Sequence, residues 1–178
     1  MPEPSSAPLA QRLRHGDRKA AEALVEAYYD RIYLYMRATG HDPQMSEDMT
    51  QETFMQAWRH IGQLRDGNAL TAWLFRIAGN VSRQHWRKHR HVTVGTDQAP
   101  SPEDKKDGLT RAGEREHLTR LHEAVARLPW KLRQVIVLHY MEQLTIAEAA
   151  EVVQIRQGTL KSRLSRALEA LRKEIGET

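Results

Sequence analysis

The sequence predicts an all-α protein of two small helical domains joined by a flexible linker, the C-terminal domain being a helix-turn-helix. Apolar residues recur at spacings of three and four in both halves of the chain, and no segment alternates apolar and polar residues like a strand. Residues 92–108, VTVGTDQAPSPEDKKDG, have the Gly, Pro, Ser and charged composition of a linker. We therefore expect domains at residues 1–91 and 113–178, with the linker at 92–112.

Three helices are expected in the N-terminal domain. Asp17 can cap a long helix that ends before Gly40, and Ser46 is expected to cap a second helix. After the polar loop QLRDGN, a third helix is expected from about Ala69 to Arg90. The apolar positions at helical spacing are, helix by helix, Ala21, Leu24, Tyr28, Ile32 and Tyr35; Met49, Phe54, Ala57, Trp58 and Ile61; Leu70, Trp73, Leu74, Ile77 and Val81.

The C-terminal domain is expected to open with a helix that ends before Pro129 and to continue with the helix KLRQVIVLHYME. Thr145 and Glu148 have the spacing of a capping box at the start of the short helix IAEAAEVV. The tight connection QIRQG then leads to a basic last helix, and this succession is typical of a helix-turn-helix. The apolar stripe of the last helix is Leu160, Leu164, Leu168, Leu171 and Ile175.

Composition excludes several classes of protein. The chain has no cysteine, so disulfides and thiolate metal sites are excluded. Its apolar runs, such as residues 135–138, are far shorter than the roughly 20 residues that span a bilayer. The N-terminal residues lack the apolar core of a secretory signal. We therefore expect a cytoplasmic protein with no membrane insertion.

Acidic and basic residues are separated along the chain. Residues 41–58 hold four acids and no Lys or Arg, whereas residues 83–91 hold four Lys or Arg and no acid. Residues 156–173 hold six Lys or Arg and one acid, and the whole chain has a net charge of +4. This separation suits a protein that presents one surface to a nucleic acid and another to a different partner.

Two helical faces carry side chains that suit DNA. On the third helix a row of cations and one amide can follow phosphates, although a solvated surface explains that row equally well. On the last helix the face opposite the leucines is polar and cationic, and arginine there can pair with guanine in the major groove. The first row is Arg76, Asn80, Arg83 and Arg87; the second face is Thr159, Ser162, Arg163 and Arg166, with Lys161 and Arg156 beside it.

Other residues predict no chemistry of their own. Trp73 and Trp86 lie on the apolar stripe, so packing in the core is favoured over stacking on unpaired bases. His85 and His89 lie four apart on one helix, but no third ligand has a convincing spacing, so no metal site is expected. Because no Gly-rich phosphate loop, Ser/His/Asp set or paired buried carboxylates stand out, we expect neither an enzyme nor a cofactor.

Several segments resemble a known family. EALVEAYYDRIYLYMRATG, SEDMTQETFMQAWRHI and TAWLFRIAGNV resemble successive helices of the promoter-melting domain of extracytoplasmic-function sigma factors. LPWKLRQVIVLHYMEQLTIAEAAEVVQIRQGTLKSRLSRALEALRKE resembles their promoter-upstream domain. The strings EDMTQETFMQAW and GTLKSRLSRALEALR are specific, since each repeats the family pattern over a dozen or more positions. The resemblance covers nearly the whole chain outside the N-terminal tail and the linker.

The resemblance implies three binding surfaces. Docking on the clamp helices of the largest subunit of core RNA polymerase would involve Asp48, Gln51, Glu52, Phe54 and Trp58. The flap region of the polymerase is a further expected contact. Reading of the minus-ten element, with a non-template base flipped out and held, would involve Arg65, Asp66, Gly67, Asn68, Arg76, Asn80, Arg83 and Arg87. Reading of the minus-thirty-five element would involve Arg156, Thr159, Lys161, Ser162, Arg163 and Arg166.

The resemblance also implies partners and one departure. The linker is similar to the segment that threads the polymerase channels, and an anti-sigma factor is the expected inhibitor. Gln154 and Arg156 stand where the family commonly has a turn glycine and a small capping residue, so a slightly strained turn is expected, with Arg156 on a phosphate.

Two other classes stay open: a stand-alone helix-turn-helix regulator, and an adaptor that binds only protein. The N-terminal half shows no ligand pocket or phosphoacceptor setting that a regulator would need for sensing. An adaptor would need no basic reading face, yet the chain has two. Both classes are therefore less favoured than a sigma factor.

Overall fold

The computed structural model describes residues 6–89, 121 and 123–176, and every regular element in these ranges is helical. The predicted all-α class is therefore confirmed. The linker predicted at 92–112 lies outside these ranges. The helices are α1 Ser6–Arg14, α2 Arg18–Ala38, α3 Pro43–His60, α4 Leu70–His89, α5 with residues 123–127 described, α6 Trp130–Ile136, α7 Ile146–Val153 and α8 Gln157–Gly176.

The long helix α2 begins as its sequence predicts. The Asp17 carboxylate accepts hydrogen bonds from the backbone N–H groups of Lys19 at 2.9 Å and Ala20 at 3.3 Å. These bonds satisfy two of the donors that a helix start leaves without intrahelical partners. The inward face of α2 is buried, and Tyr35 packs edge-on against Phe75 of α4 at 5.6 Å between ring centroids. A shared core thus joins α2 to α4.

The prediction that Ser46 caps the second helix is wrong. α3 begins three residues earlier, at Pro43, and the Asp42 carboxylate accepts the Met45 N–H at 2.9 Å. Proline suits the first helical position because its fixed φ is helical and its missing N–H would have no intrahelical partner there. Ser46 lies inside the helix, fully buried, and its hydroxyl donates to the His41 carbonyl at 3.5 Å.

The sequence analysis missed α1 altogether. This nine-residue helix buries Leu9, Ala10 and Leu13 in the N-terminal core. A turn through Gly16, at φ +73°, then leads to Asp17, and Arg12 pairs with the Asp17 carboxylate at 2.8 Å. Two leucines four residues apart are the only periodic signal, which is too short to distinguish a helix from a tail.

The C-terminal domain has the predicted helix-turn-helix. The capping box is confirmed, because Thr145 accepts the Glu148 N–H at 3.2 Å while the Glu148 carboxylate accepts the Thr145 N–H at 2.8 Å. Helix α6 runs on into a π-helical segment, Val137–Met141. The buried line of α8 is Leu160, Leu164, Ala167 and Leu171. Ile175, expected on this line, is instead 39% exposed in the last turn.

The two domains pack against each other along two contacts. Helix α4 lies on α7, and α2 lies on α6 and the π-helical segment. Arg31 of α2 pairs with Glu142 at 2.7 Å, and the Glu142 side chain is only 6% exposed. Because a buried carboxylate without a partner is costly, closed packing of the domains requires Arg31 to stay paired with Glu142.

The turn between α7 and α8 is strained, as expected. Gln154 ends α7 in the left-handed conformation, at φ 55° and ψ 49°, which disfavours side chains with a Cβ.

Replacing Gln154 with glycine should raise the free energy of unfolding by about 0.5–1 kcal/mol, because relief of the left-handed strain exceeds glycine's entropic cost. Urea unfolding measures the change. Gln157→Gly, in the first turn of α8, is the matched control and should not stabilise the protein. A lower midpoint for Gln154→Gly than for the unchanged chain would contradict the strain.

Candidate nucleic-acid interface

The cationic row of α4 is formed as predicted. Leu70, Leu74, Phe75 and Ala78 are fully buried and fix the orientation of the helix. The opposite side therefore carries the four residues of the row. Arg76 and Arg87 are exposed, whereas Asn80 and Arg83 are half-buried.

Helix α7 covers three residues of this row. Arg76 pairs with the Glu151 carboxylate, and Arg83 donates both to the Val152 carbonyl and to the Asn80 side-chain oxygen. Gln154, just after α7, donates to the same Asn80 oxygen at 3.4 Å. Three of the side chains that sequence analysis assigned to DNA, Arg76, Asn80 and Arg83, thus contact the other domain.

The contact between α4 and α7 depends on a glycine. A Cβ on Gly79 would lie 2.6 Å from the Val152 carbonyl oxygen and 3.1 Å from a Val152 methyl carbon. No real Cβ sits that close to a backbone oxygen, so only glycine allows the two helices to approach this closely. The approach brings the Val152 carbonyl within reach of Arg83.

Burial also changes the electrostatics of Arg83. Loss of hydration lowers the pKa of its guanidinium, and the positive charge of Arg87 lowers it further, whereas the nearby Tyr35 hydroxyl acts in the opposite direction. Arginine nevertheless stays charged in proteins. The closed packing therefore holds a partly dehydrated cation, whose partners are a carbonyl and an amide oxygen rather than a carboxylate.

The loop at residues 65–68 lies at the start of α4, as predicted. Asp66 accepts the Asn68 N–H at 2.9 Å and begins a 3-10 turn, Gly67–Ala69, that leads into the helix. Arg65, Asp66 and Asn68 are exposed, whereas Gly67 is half-buried against α1. Three polar side chains are thus presented next to the cationic row.

The polar face of α8 is open to solvent. Thr159, Lys161, Ser162 and Arg166 are exposed, and Arg163 is half-buried. Arg156 is exposed just before the helix, and its carbonyl accepts the Leu160 N–H at 3.0 Å. Arg156 also lines, with Arg76 and Asn80, an open groove between the domains. The α8 face is available to a partner while most of the α4 row is covered.

The predicted polymerase-docking residues share helix α3 but not one environment. Asp48, Gln51 and Trp58 are exposed, with Trp58 at 45%. Phe54 is half-buried and stacks on Tyr29, at 6.4 Å between centroids. Glu52 is half-buried and accepts a hydrogen bond from Gln56 at 2.8 Å.

Sequence analysis missed Met55, which is 50% exposed on the same side of α3. Asp48, Gln51, Met55 and Trp58 follow one another at spacings of three, four and three, the spacing of one helical face. That spacing was the signal that could have revealed Met55. We call these four residues the α3 face.

Trp73 and Trp86 of α4 differ in burial, and only one of them packs as predicted. Trp73 is half-buried against the core, as predicted. The prediction that Trp86 packs in the core is wrong: it is 37% exposed and stacks on the buried ring of His41, at 4.9 Å. His85 contacts His41 edge-on at 5.1 Å.

Within the described ranges no group of three His, Cys, Asp or Glu residues could hold a metal ion, and no helix is long and apolar enough to cross a bilayer.

Comparison with known proteins identifies both halves of the chain. Residues 24–92 match the family model of sigma-70 region 2, and residues 118–171 match that of sigma-70 region 4. The chain is 35% identical to the extracytoplasmic-function sigma factor SigL of Mycobacterium tuberculosis, over 92% of this chain and 97% of that one. It is 31% identical to SigW of Bacillus subtilis, over 93% and 94%. The chain belongs to the extracytoplasmic-function sigma factors. As a sigma factor, it directs RNA polymerase in promoter recognition and DNA melting at the start of transcription.

Two solved structures share the sigma factor's fold. CnrH, in complex with the cytosolic domain of CnrY, has a TM-score of 0.65 at 24% identity, with 98% of this chain and 99% of that chain covered. RpoE of Bartonella quintana, in complex with the anti-sigma factor NepR, has a TM-score of 0.63 at 22% identity, with 87% and 96% covered.

Replacing Gly79 with alanine should open the sigma factor. The new Cβ collides with the Val152 carbonyl, whereas helix α4 itself gains about 1 kcal/mol of helix propensity. Small-angle X-ray scattering should therefore show a larger radius of gyration at unchanged helicity.

The matched control is Gly158→Ala in α8, where an added Cβ meets nothing within 4 Å. Identical scattering from Gly79→Ala and Gly158→Ala would show that the close approach does not hold the domains together.

Proposed function

We propose that the sigma factor binds core polymerase with the α3 face, reads the minus-ten element with the 65–68 loop and the α4 row, and reads the minus-thirty-five element with α8. We further propose that residues 1–91 and 113–178 act as separate domains joined by the 92–112 linker. The observation that carries this proposal is the α4 row itself, in which three cations and an amide line one side of a helix beside an exposed polar loop.

The α4 row suits a single strand of DNA next to a flipped base. Guanidinium groups bind phosphates, and the amide of Asn80 can both donate to and accept from a base edge. Removing one base from the stack costs a few kcal/mol, which binding of the flipped base must offset. A loop that is ordered before binding offsets more of this cost, because no free energy is lost in ordering the loop. Asp66 and Asn68 supply acceptors and donors of this kind at the loop.

The α8 face suits duplex DNA in the major groove. Its leucine line is buried on the domain, so the polar face projects as a recognition helix does. Arg163 and Arg166 can bind guanine bidentately, and Thr159, Ser162 and Lys161 suit phosphates or base edges. Arg156, at the start of the helix, suits a phosphate.

DNA cannot bind the complete α4 row in the packing described above, because three of its four side chains contact the other domain. Glu151 holds Arg76, and Val152 and Gln154 lie against Arg83 and Asn80. Opening of the α4–α7 contact is therefore a required step before promoter melting. Binding of the promoter strand to the uncovered row would supply free energy for it, since a ligand that binds only the open form shifts the equilibrium toward that form.

An anti-sigma factor is the further partner we propose. CnrH and RpoE were both solved in complexes, RpoE with the anti-sigma factor NepR. Met55 and Trp58 are exposed on the α3 face, and these apolar side chains suit a competitor of polymerase.

Phosphodiester chemistry would belong to the polymerase, so the sigma factor itself needs no catalytic residue. It would act in the cytoplasm, where the polymerase works.

Transcription from a genomic fragment library tests the proposal as a whole. Core bacterial polymerase with the purified sigma factor should yield transcript starts that share a two-part upstream motif and that are absent without it. No binding to core polymerase and no new starts would favour a stand-alone helix-turn-helix regulator. That alternative is otherwise disfavoured, since the family matches cover both halves.

Arg163→Ala should weaken recognition at one position of the minus-thirty-five element by about 1–3 kcal/mol, because one bidentate base contact is lost. Transcription from promoters substituted base by base measures the change, with Lys173→Ala in the last turn of α8 as the control. An equal loss on every promoter sequence would make Arg163 a phosphate contact instead.

Asp48→Arg should weaken binding to core polymerase by about tenfold or more, since like charges across an interface cost several kcal/mol. Titration of labelled sigma factor with core polymerase measures the dissociation constant. The control is Glu26→Arg, the same charge reversal at an exposed position of α2. If both variants bind like the unchanged chain, Asp48 does not belong to the docking surface.

A further inference from the structure

We propose that helix α1 is a positioning element of the minus-ten reader, which holds the 65–68 loop in its base-binding shape through Arg14 and Ala7. The inference rests on the proposed function of that loop. It concerns a part of the chain that precedes the region 2 match, which begins at residue 24. Neither the family model nor the sequence motifs assign α1 any part in promoter reading.

Arg14 contacts the backbone that enters the loop. Its Nη1 atom donates to the Leu64 carbonyl at 3.2 Å and to the Arg65 carbonyl at 3.4 Å. Leu64 is buried at 3% exposure and ends the short 3-10 turn that follows α3. One guanidinium thus joins two consecutive carbonyls at the point where the chain leaves the core and becomes the loop.

Ala7 contacts the loop at its centre. A Cβ on Gly67 would lie 2.6 Å from the Ala7 Cα, 3.1 Å from the Ala7 carbonyl oxygen and 3.2 Å from the Ala10 Cβ. The backbone of the loop therefore lies directly on the backbone of α1, and no side chain fits between them. Gly67 is required here for close approach, since its neighbours in space are mostly backbone atoms that cannot turn aside.

Helix α1 is itself firmly placed. Leu9, Ala10 and Leu13 are buried in the N-terminal core. The Arg12–Asp17 ion pair ties the end of α1 to the residue that caps α2. A helix anchored in this way can act as a rigid support for the 65–68 loop. The loop is thus held between α1 on one side and the start of α4 on the other, with Arg65, Asp66 and Asn68 left exposed.

A loop held in one conformation binds a flipped base more tightly than a mobile one, because the entropy of ordering the loop has already been lost. Loosening α1 should therefore affect base selectivity at the minus-ten element. It should leave docking through α3 and duplex reading through α8 unchanged, since both surfaces lie on other helices. This difference separates a positioning role from a general contribution to stability.

The test uses variants of the whole 178-residue chain in holoenzyme, on a promoter found by mapping transcript starts. Each minus-ten and minus-thirty-five base is substituted in turn, and the ratio of initiation rates on the preferred and substituted promoters is measured. Arg14→Ala and Gly67→Ala should each reduce minus-ten discrimination about tenfold, since a factor of ten in rate corresponds to about 1.4 kcal/mol. Minus-thirty-five discrimination and core affinity should stay within about twofold.

Each variant has a matched control. Arg18→Ala removes another exposed arginine, four residues after Arg14 at the start of α2. Arg18 pairs only with Glu22 of its own helix, at 3.4 Å, among the ion pairs of the described residues. Gly62→Ala adds a methyl group where nothing lies within 4 Å. Arg14→Lys should recover much of the selectivity, because an ammonium group can also donate to two carbonyls. The control variants should discriminate among minus-ten bases as the unchanged chain does.

Three results would overturn parts of this account, and they are distinguishable. Unchanged minus-ten discrimination in Arg14→Ala and Gly67→Ala would refute the role of α1. Equal losses at both promoter elements would show that α1 only stabilises the domain. If the unchanged chain itself shows no promoter-specific initiation, the proposed function of the loop fails, and with it the premise of the inference.

Discussion

The close approach of α4 and α7 at Gly79 is the constraint on which the arrangement of this sigma factor depends. Without a Cβ at that position, the Val152 carbonyl comes within reach of Arg83, and Glu151 pairs with Arg76. The protein thereby pairs side chains that we propose read DNA with a carboxylate and a backbone carbonyl of its own. These are the kinds of acceptor that phosphates and base edges would otherwise provide.

On the proposed function, competition for the same side chains would couple conformation to promoter binding. The exposed Arg76–Glu151 pair contributes little in salt, whereas the Arg31–Glu142 pair is buried and the Arg83 contacts are partly so. Salt should therefore weaken the buried and half-buried contacts less than the exposed pair. The α3 and α8 faces stay exposed in the closed form. On the proposed function, polymerase and the upstream element would therefore be engaged before the minus-ten reader is released.

The sequence predicted those parts of the fold that repeat locally. Helices α2, α7 and the leucine line of α8 were recognised from periodicity and from the caps Asp17 and Thr145. Ser46 was misassigned because Asp42 and Pro43 supply a better start, and α1 was missed because two leucines are too weak a signal. The cover over the α4 row could not be predicted, since it depends on a backbone carbonyl and on a missing Cβ, which leave no periodic pattern.

The distance between the domains tests the closed-to-open account most directly. Because the chain has no cysteine, single cysteines at Glu26 of α2 and Arg172 of α8, both exposed, can be spin-labelled specifically. The account predicts one short distance in the free sigma factor and a longer one in holoenzyme bound to promoter DNA. The same distance in both states would contradict it, because the α4 row would then remain covered while the promoter is open.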